Sequence, residues 1–196
     1  MKLQFLDPKQ PLATCSRTAC ADCRAAKGIH CHFYGCDLFT FVLTMLPAFI
    51  LGGISIIRTS GWLVLGGWVL FSFAYFLLIE IRVMCTHCPH YAEDGKTLQC
   101  WANFGAPRLW RYHPGPMHLW EKFVFLGGLG VVFLFPAALL AIFARWWLLI
   151  LNLISIAVAI TYLQVTMCTR CINLNCPLNR TRHDMRAIFR SFNPDI

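Results

Sequence analysis

The sequence contains little charge. Only 13% of its 196 residues are Asp, Glu, Lys or Arg, and 58% are apolar, whereas soluble domains carry about 25% charged residues. This scarcity excludes an ordinary soluble domain of the same length. The net charge of +8 would suit nucleic acid, but most Lys and Arg residues flank apolar runs, so we predict no nucleic-acid partner.

The first 36 residues lack the apolar stretch that a secretory signal places behind its basic residues. They contain five cysteines instead. We therefore predict that this segment stays in the mature protein.

Four apolar runs dominate the rest of the chain. Each has about 20 residues, which is the length a helix needs to cross a hydrocarbon core of about 30 Å. The runs are Leu38–Ile57, Trp62–Ile81, Phe123–Ala144 and Trp146–Met167. The first two are joined by a few residues around Gly61, and the last two by Arg145 alone, so they form two tandem helical hairpins.

The predicted fold class is therefore an all-α integral membrane protein with four transmembrane helices and a Cys-rich metal-binding cap on one face. Its parts are a Cys-rich tail (1–37), a first hairpin (38–81), a Cys-rich loop (82–122), a second hairpin (123–167) and a Cys-rich basic tail (168–196).

The basic residues predict the orientation of this bundle. All Lys and Arg other than Arg58 and Arg145 lie in the two tails and the middle loop. Because basic loops stay on the inner side, we expect a multi-pass protein of the cytoplasmic membrane. Both termini and the Cys-rich loop would face the cytoplasm.

The apolar runs also lack the residues of several membrane functions. No run contains a histidine, which excludes a haem b held by two helix histidines within this chain. No series of acids crosses the bilayer, as a proton path would require, and Glu80 is expected at the interface beside Arg82. The sequence offers no nucleophile–base pair and no phosphate loop, so a non-catalytic subunit is favoured over an enzyme.

Cysteine is abundant. The sequence has 11, all outside the apolar runs. Structural disulfides would need an oxidising compartment, and thiol–disulfide exchange would need one CxxC pair, whereas this chain has three. Metal binding is therefore favoured. The candidate ligands are Cys85, Cys88, Cys100, Cys168, Cys171, Cys176, Cys20, Cys23, Cys31 and Cys36, with Cys15, His87, His90, His30 and His32 as weaker candidates.

A short repeat organises these cysteines. Residues 84–88 read MCTHC and residues 167–171 read MCTRC, and a further cysteine follows each motif at Cys100 and Cys176. We interpret this as a duplicated unit of hairpin, CxxC and cysteine. Each unit supplies three thiols, so the N-terminal tail is expected to supply the fourth ligand to each of two Cys₄ sites.

The pattern leaves iron–sulfur and zinc open as the bound species. Proline directly after Cys88 and Cys176 is typical of bacterial ferredoxin motifs and favours [4Fe–4S]. The interleaved His87 and His90 suit a Cys₃His zinc site.

We hence predict an electron-transfer subunit with about two clusters, which relays electrons to or from a membrane partner or a quinone. The alternatives are a zinc-stapled structural or docking subunit of a larger complex and a thiol-redox or soft-metal-handling membrane protein.

Two further segments suggest surfaces and packing. The aromatic segment 101–117 either covers the metal sites or forms a docking surface for a membrane or peripheral redox protein. Residues 181–196 predict a short basic helix on the membrane surface.

Glycine pairs in the apolar runs suit close contact between helices in lipid. They are Gly52-Gly53, Gly66-Gly67 and Gly127-Gly128.

Overall fold

The computed structural model describes residues 11–20 and 23–194, except for the side chain of Lys27. Within this part of the chain there is no β-strand, only a bridge between Thr97 and Pro107. The helices are α1 (Gly35–Ala74), α2 (Glu80–Val83), α3 (Leu119–Ile142), α4 (Trp146–Thr166) and α5 (His183–Phe192). A π-helical turn, Tyr75–Ile79, joins α1 to α2.

Three helical segments are long and apolar enough to cross a membrane. They are Gly35–His87, Leu119–Ile142 and Trp146–Arg170. The expectation of a helical membrane protein is therefore confirmed in this general form. The first segment has 53 residues, which is more than twice the length that one crossing needs.

This first segment folds back on itself at Gly61. Gly61 has φ 82° and ψ −176°, a conformation that glycine adopts without steric penalty. The ring of Phe49 lies 5.8 Å from that of Trp68 and 6.1 Å from that of Phe76. In a straight helix, Phe49 and Phe76 would be about 40 Å apart. The two arms of α1 are therefore antiparallel, and the break coincides with the predicted connection between the first two runs.

Helix α3 packs tightly against the first segment at Gly128. A Cβ atom there would overlap the ring of Tyr75. The hydroxyl of Tyr75 donates a hydrogen bond of 2.5 Å to the carbonyl of Phe125. A Cβ atom added to Gly52 would lie 3.3 Å from Cγ of Pro136. The remaining predicted glycine contacts are looser or have no described atom within 4 Å.

Helix α3 begins four residues before the predicted run. Its start is determined by capping rather than by hydropathy, since the backbone N–H of His118 donates to Oε2 of Glu121 at 2.8 Å. Helix α3 ends at Ile142, two residues earlier than predicted, so three residues (143–145) rather than Arg145 alone separate it from α4.

The two tails pack together at the end of the bundle where α2 and α4 finish. The N–H of His30 donates to the carbonyl of Arg170 at 2.8 Å, and the N–H of Ser16 donates to that of Phe192 at 2.8 Å. Helix α5 confirms the predicted C-terminal helix. One buried cluster joins both tails to the loop; its members are Leu12, Cys23, Ala25, Ile29, Cys88, Ile172, Leu174 and Phe189. The first ten residues of the predicted N-terminal tail lie outside the described residues.

Candidate metal centre formed by the cysteines

The two repeated motifs have the same backbone conformation. Each first cysteine opens a short 3₁₀ turn, Cys85–His87 in one motif and Cys168–Arg170 in the other. Each second cysteine is extended, with φ −90° and ψ 137° at Cys88 and φ −78° and ψ 133° at Cys171. The sequence repeat is thus also a structural repeat, and each turn presents a CxxC pair at the end of a membrane helix.

Six cysteines form one neighbourhood, which we call the membrane-side group. Cys88 interacts electrostatically with Cys100, Cys171 and Cys176, and Cys85 with Cys88 and Cys100. Cys168 belongs to the same neighbourhood because it interacts electrostatically with Cys171. Both repeats therefore contribute thiols to the same region, and the full group is Cys85, Cys88, Cys100, Cys168, Cys171 and Cys176.

Burial makes these thiols poor acids. Desolvation, with added repulsion from neighbouring cysteines, raises the pKa of Cys88 well above its usual value. It raises the pKa of Cys100 to about 12 and that of Cys171 to about 11. Their thiolates would require a compensating positive charge, and a bound metal supplies one because it deprotonates its thiol ligands outright.

Polar groups beside the sulfurs are suited to stabilising thiolates. The side-chain amide of Asn103 donates to Sγ of Cys85 at 3.3 Å and to Oε1 of Glu80 at 3.4 Å. The N–H of Ala102 donates to Sγ of Cys100 at 3.4 Å. Such donors are typical of the shell around metal-bound sulfur.

The expectation that Glu80 lies at the membrane interface beside Arg82 stays a prediction, but its carboxyl group is covered by the protein. Glu80 is 7% exposed and is held by Asn103, because the middle loop folds over the end of α2. Arg82 instead lies 3.9 Å from Glu121 at the start of α3.

Four cysteines of the N-terminal tail form a second neighbourhood, which we call the tail group. Cys15, Cys20, Cys23 and Cys31 line one small cavity. Burial, with repulsion from the other three thiols, raises the pKa of Cys31 to about 12. Cys36 is exposed at the first turn of α1, apart from this cavity. That the tail adds one ligand to each repeat stays a prediction, and the structure brings these four thiols together around one cavity.

The candidate histidines fall into two classes. His87 is engaged by the protein, with Nδ1 3.0 Å from the carbonyl of Gly115 and Nε2 3.1 Å from Oε2 of Glu121. His30 pairs with Asp37 at 2.6 Å. His32 and His90 are buried. Desolvation, with a contribution from nearby His32, lowers the pKa of His90 to about 4. These two rings therefore lie close together, one from each cysteine neighbourhood.

The described His, Cys, Asp and Glu side chains contain no group of three or more that could hold a single metal ion. All 11 cysteines are free thiols. No family model, curated protein or solved structure matches this chain.

Proposed function

We propose that this chain is a membrane-anchored electron-transfer subunit that binds about two iron–sulfur clusters, predicted as [4Fe–4S], through its cysteines. The observation that supports this most directly is the presence of two adjacent groups of free thiols, of which Cys23, Cys85 and Cys88 are buried and the others partly buried. Cys23 of the tail group and Cys88 of the membrane-side group belong to the same buried apolar cluster. Clusters bound in the two groups would therefore be neighbours, as an electron relay requires.

The residues that follow two of the cysteines favour clusters over zinc. Proline comes directly after Cys88 and Cys176, as it does after a cluster ligand in bacterial ferredoxin motifs. The zinc-stapled alternative is supported by the packing of the two tails on each other, since a zinc ion would hold together the same segments. One such contact is the backbone hydrogen bond from His30 to Arg170.

The weak acidity of the thiols argues against thiol–disulfide exchange. Reactive cysteines are partly exposed and have a lowered pKa. Here burial raises the pKa of Cys88 and brings that of Cys171 to about 11. Thiols of this kind suit ligation, where the metal compensates the charge, better than nucleophilic attack.

The proposal includes four crossings of the bilayer, two of them by the arms of α1 that meet at Gly61. The cysteines would then lie on the cytoplasmic side, as the distribution of Lys and Arg predicts. Leu109 and Arg111 are exposed in the segment 101–117, which supports docking of a redox protein there. A quinone partner stays a prediction.

The test is the metal content of the full chain, purified anaerobically in detergent. We expect about six to eight irons per chain with an equal amount of acid-labile sulfide. Replacing Cys88 with Ala should remove iron, whereas the matched change at exposed Cys36 should not. Zinc without iron or sulfide would exclude the electron-transfer function and leave the stapled subunit.

A further inference from the structure

The sequence spacing of the four tail cysteines matches a known cluster-binding motif, independently of the two CxxC repeats. Four residues separate Cys15 from Cys20, two separate Cys20 from Cys23, and seven separate Cys23 from Cys31. The first three cysteines thus have the C-x₄-C-x₂-C spacing of plant-type ferredoxins, which bind [2Fe–2S] clusters.

A small cavity lies between these cysteines. Its lining also includes the apolar side chains of Leu12, Phe189 and Phe192 and the polar side chain of Asn193. A mostly apolar lining would keep water from a bound cluster and tune its potential.

Helix α5 holds the tail group in position. The hydroxyl of Thr14 donates to Oδ1 of Asn193 at 2.8 Å, and Ser16 donates to the carbonyl of Phe192 through both its N–H and its hydroxyl, at 2.8 and 3.1 Å. The guanidinium of Arg17 lies 4.9 Å from the ring centroid of Phe192. The tail is therefore anchored on both sides of Cys15 by contacts that do not depend on the membrane-side group.

The membrane-side group does not need a tail ligand. Cys85, Cys88 and Cys100 from the first repeat already have Cys171 of the second repeat beside them. For Cys31, the interacting thiols are those of Cys15, Cys20 and Cys23. Each neighbourhood thus contains at least four thiols of its own.

We propose that Cys15, Cys20, Cys23 and Cys31 form a self-contained site for a [2Fe–2S] cluster, separate from the cluster bound by the membrane-side group. This inference rests on the proposed function, since it assigns one of the two clusters to the tail alone. It makes Cys15 a full ligand and leaves Cys36 outside both sites.

The test compares Cys15→Ala and Cys31→Ala with Cys36→Ala in the full chain, purified anaerobically in detergent. Each of the first two variants should lose about two irons and two sulfides. They should keep the electron paramagnetic resonance signal of the other cluster, which also shows that they are folded. Cys36→Ala should keep the iron content and spectrum of the wild type.

Two results would overturn the inference. In the first, Cys15→Ala and Cys31→Ala keep the wild-type iron content. In the second, they lose all iron although they elute from a size-exclusion column as the wild type does, which would mean that the clusters share ligands. Mössbauer spectra of the wild type provide a second measurement that depends on no variant: a mixture of two-iron and four-iron clusters is expected, and four-iron clusters alone would contradict it. A wild-type chain without iron would instead exclude the proposed function itself.

Discussion

Gly128 is the glycine of α3 at which packing leaves least room for a side chain. The ring of Tyr75 occupies the space that a side chain would need, and its hydroxyl donates to the carbonyl of Phe125 on the same helix. An added methyl group must displace this ring or separate the helices. Neighbouring Gly127 has no described atom within 4 Å of a Cβ position.

The first prediction compares Gly128→Ala with Gly127→Ala. Both changes gain similar helix propensity, so their difference reports packing. We expect Gly128→Ala to be less stable than Gly127→Ala by about 1–3 kcal/mol, which is typical of overpacking in a close contact. Thermal unfolding in detergent, followed by circular dichroism, measures the difference. Equal stability would mean that Tyr75 is not packed on α3.

Several residues could not be assigned from the sequence because their partners are distant along the chain. Glu80 was expected at the interface, but Asn103 holds it beneath the middle loop. His87 reads as a zinc ligand within the motif MCTHC, yet Glu121 and the carbonyl of Gly115 engage both of its ring nitrogens. Local spacing cannot reveal a contact across 23 or 34 residues.

At the scale of elements, the contact between His87 and Glu121 joins the first CxxC turn to the start of α3. The two side chains are 0% and 2% exposed, with Nε2 and Oε2 3.1 Å apart. Glu121 also caps its own helix by accepting from the N–H of His118. The carboxylate therefore stabilises both the helix start and the loop that carries Cys85 and Cys88.

The second prediction is that Glu121→Gln lowers the stability of the protein by about 1–3 kcal/mol, because an uncharged amide interacts more weakly with the N–H of His118 and the ring of His87 than the buried carboxylate does. Arg82→Gln is the matched control. Arg82 is 45% exposed and 3.9 Å from the same carboxylate, so we expect a loss of about 0–1 kcal/mol. Both are measured by thermal unfolding in detergent. A larger loss for Arg82→Gln than for Glu121→Gln would show that the ion pair, not the histidine contact, is the important one.

The elements themselves were largely predictable. The hydropathy runs and the structured helices agree within a few residues, since a membrane helix must be both long and apolar. The repeat also predicted two equivalent CxxC turns. The grouping of the four tail cysteines was missed, although the spacing of Cys15, Cys20 and Cys23 contains the signal. The cavity formed with α5 depends on tertiary contacts that no local pattern encodes.

In the proposed topology of the whole molecule, the turn at Gly61 and the cysteines lie on opposite sides of the membrane. Cys36 is exposed at the start of α1, and Ser60 is partly exposed beside the turn. Both positions can report on the side they face when a membrane-impermeant maleimide is used.

The third prediction concerns this topology. In the wild type, Cys36 should be labelled in inside-out vesicles and not in intact cells. In a variant with Cys36→Ser and Ser60→Cys, position 60 should show the opposite pattern, because each arm of α1 spans the bilayer once. Labelling of both positions from the same side would mean that the first segment does not cross and return.

The matching turns after α2 and α4 also bear on how such a chain can evolve. A unit made of two antiparallel membrane helices returns the polypeptide to the side from which it started. A second copy appended to the first therefore inherits the correct orientation, and no insertion signal has to be inverted. A half-length ancestor could pair with a second copy inserted in the same orientation, with three thiols contributed by each molecule, and later be fused into one gene without any change in the geometry of those thiols.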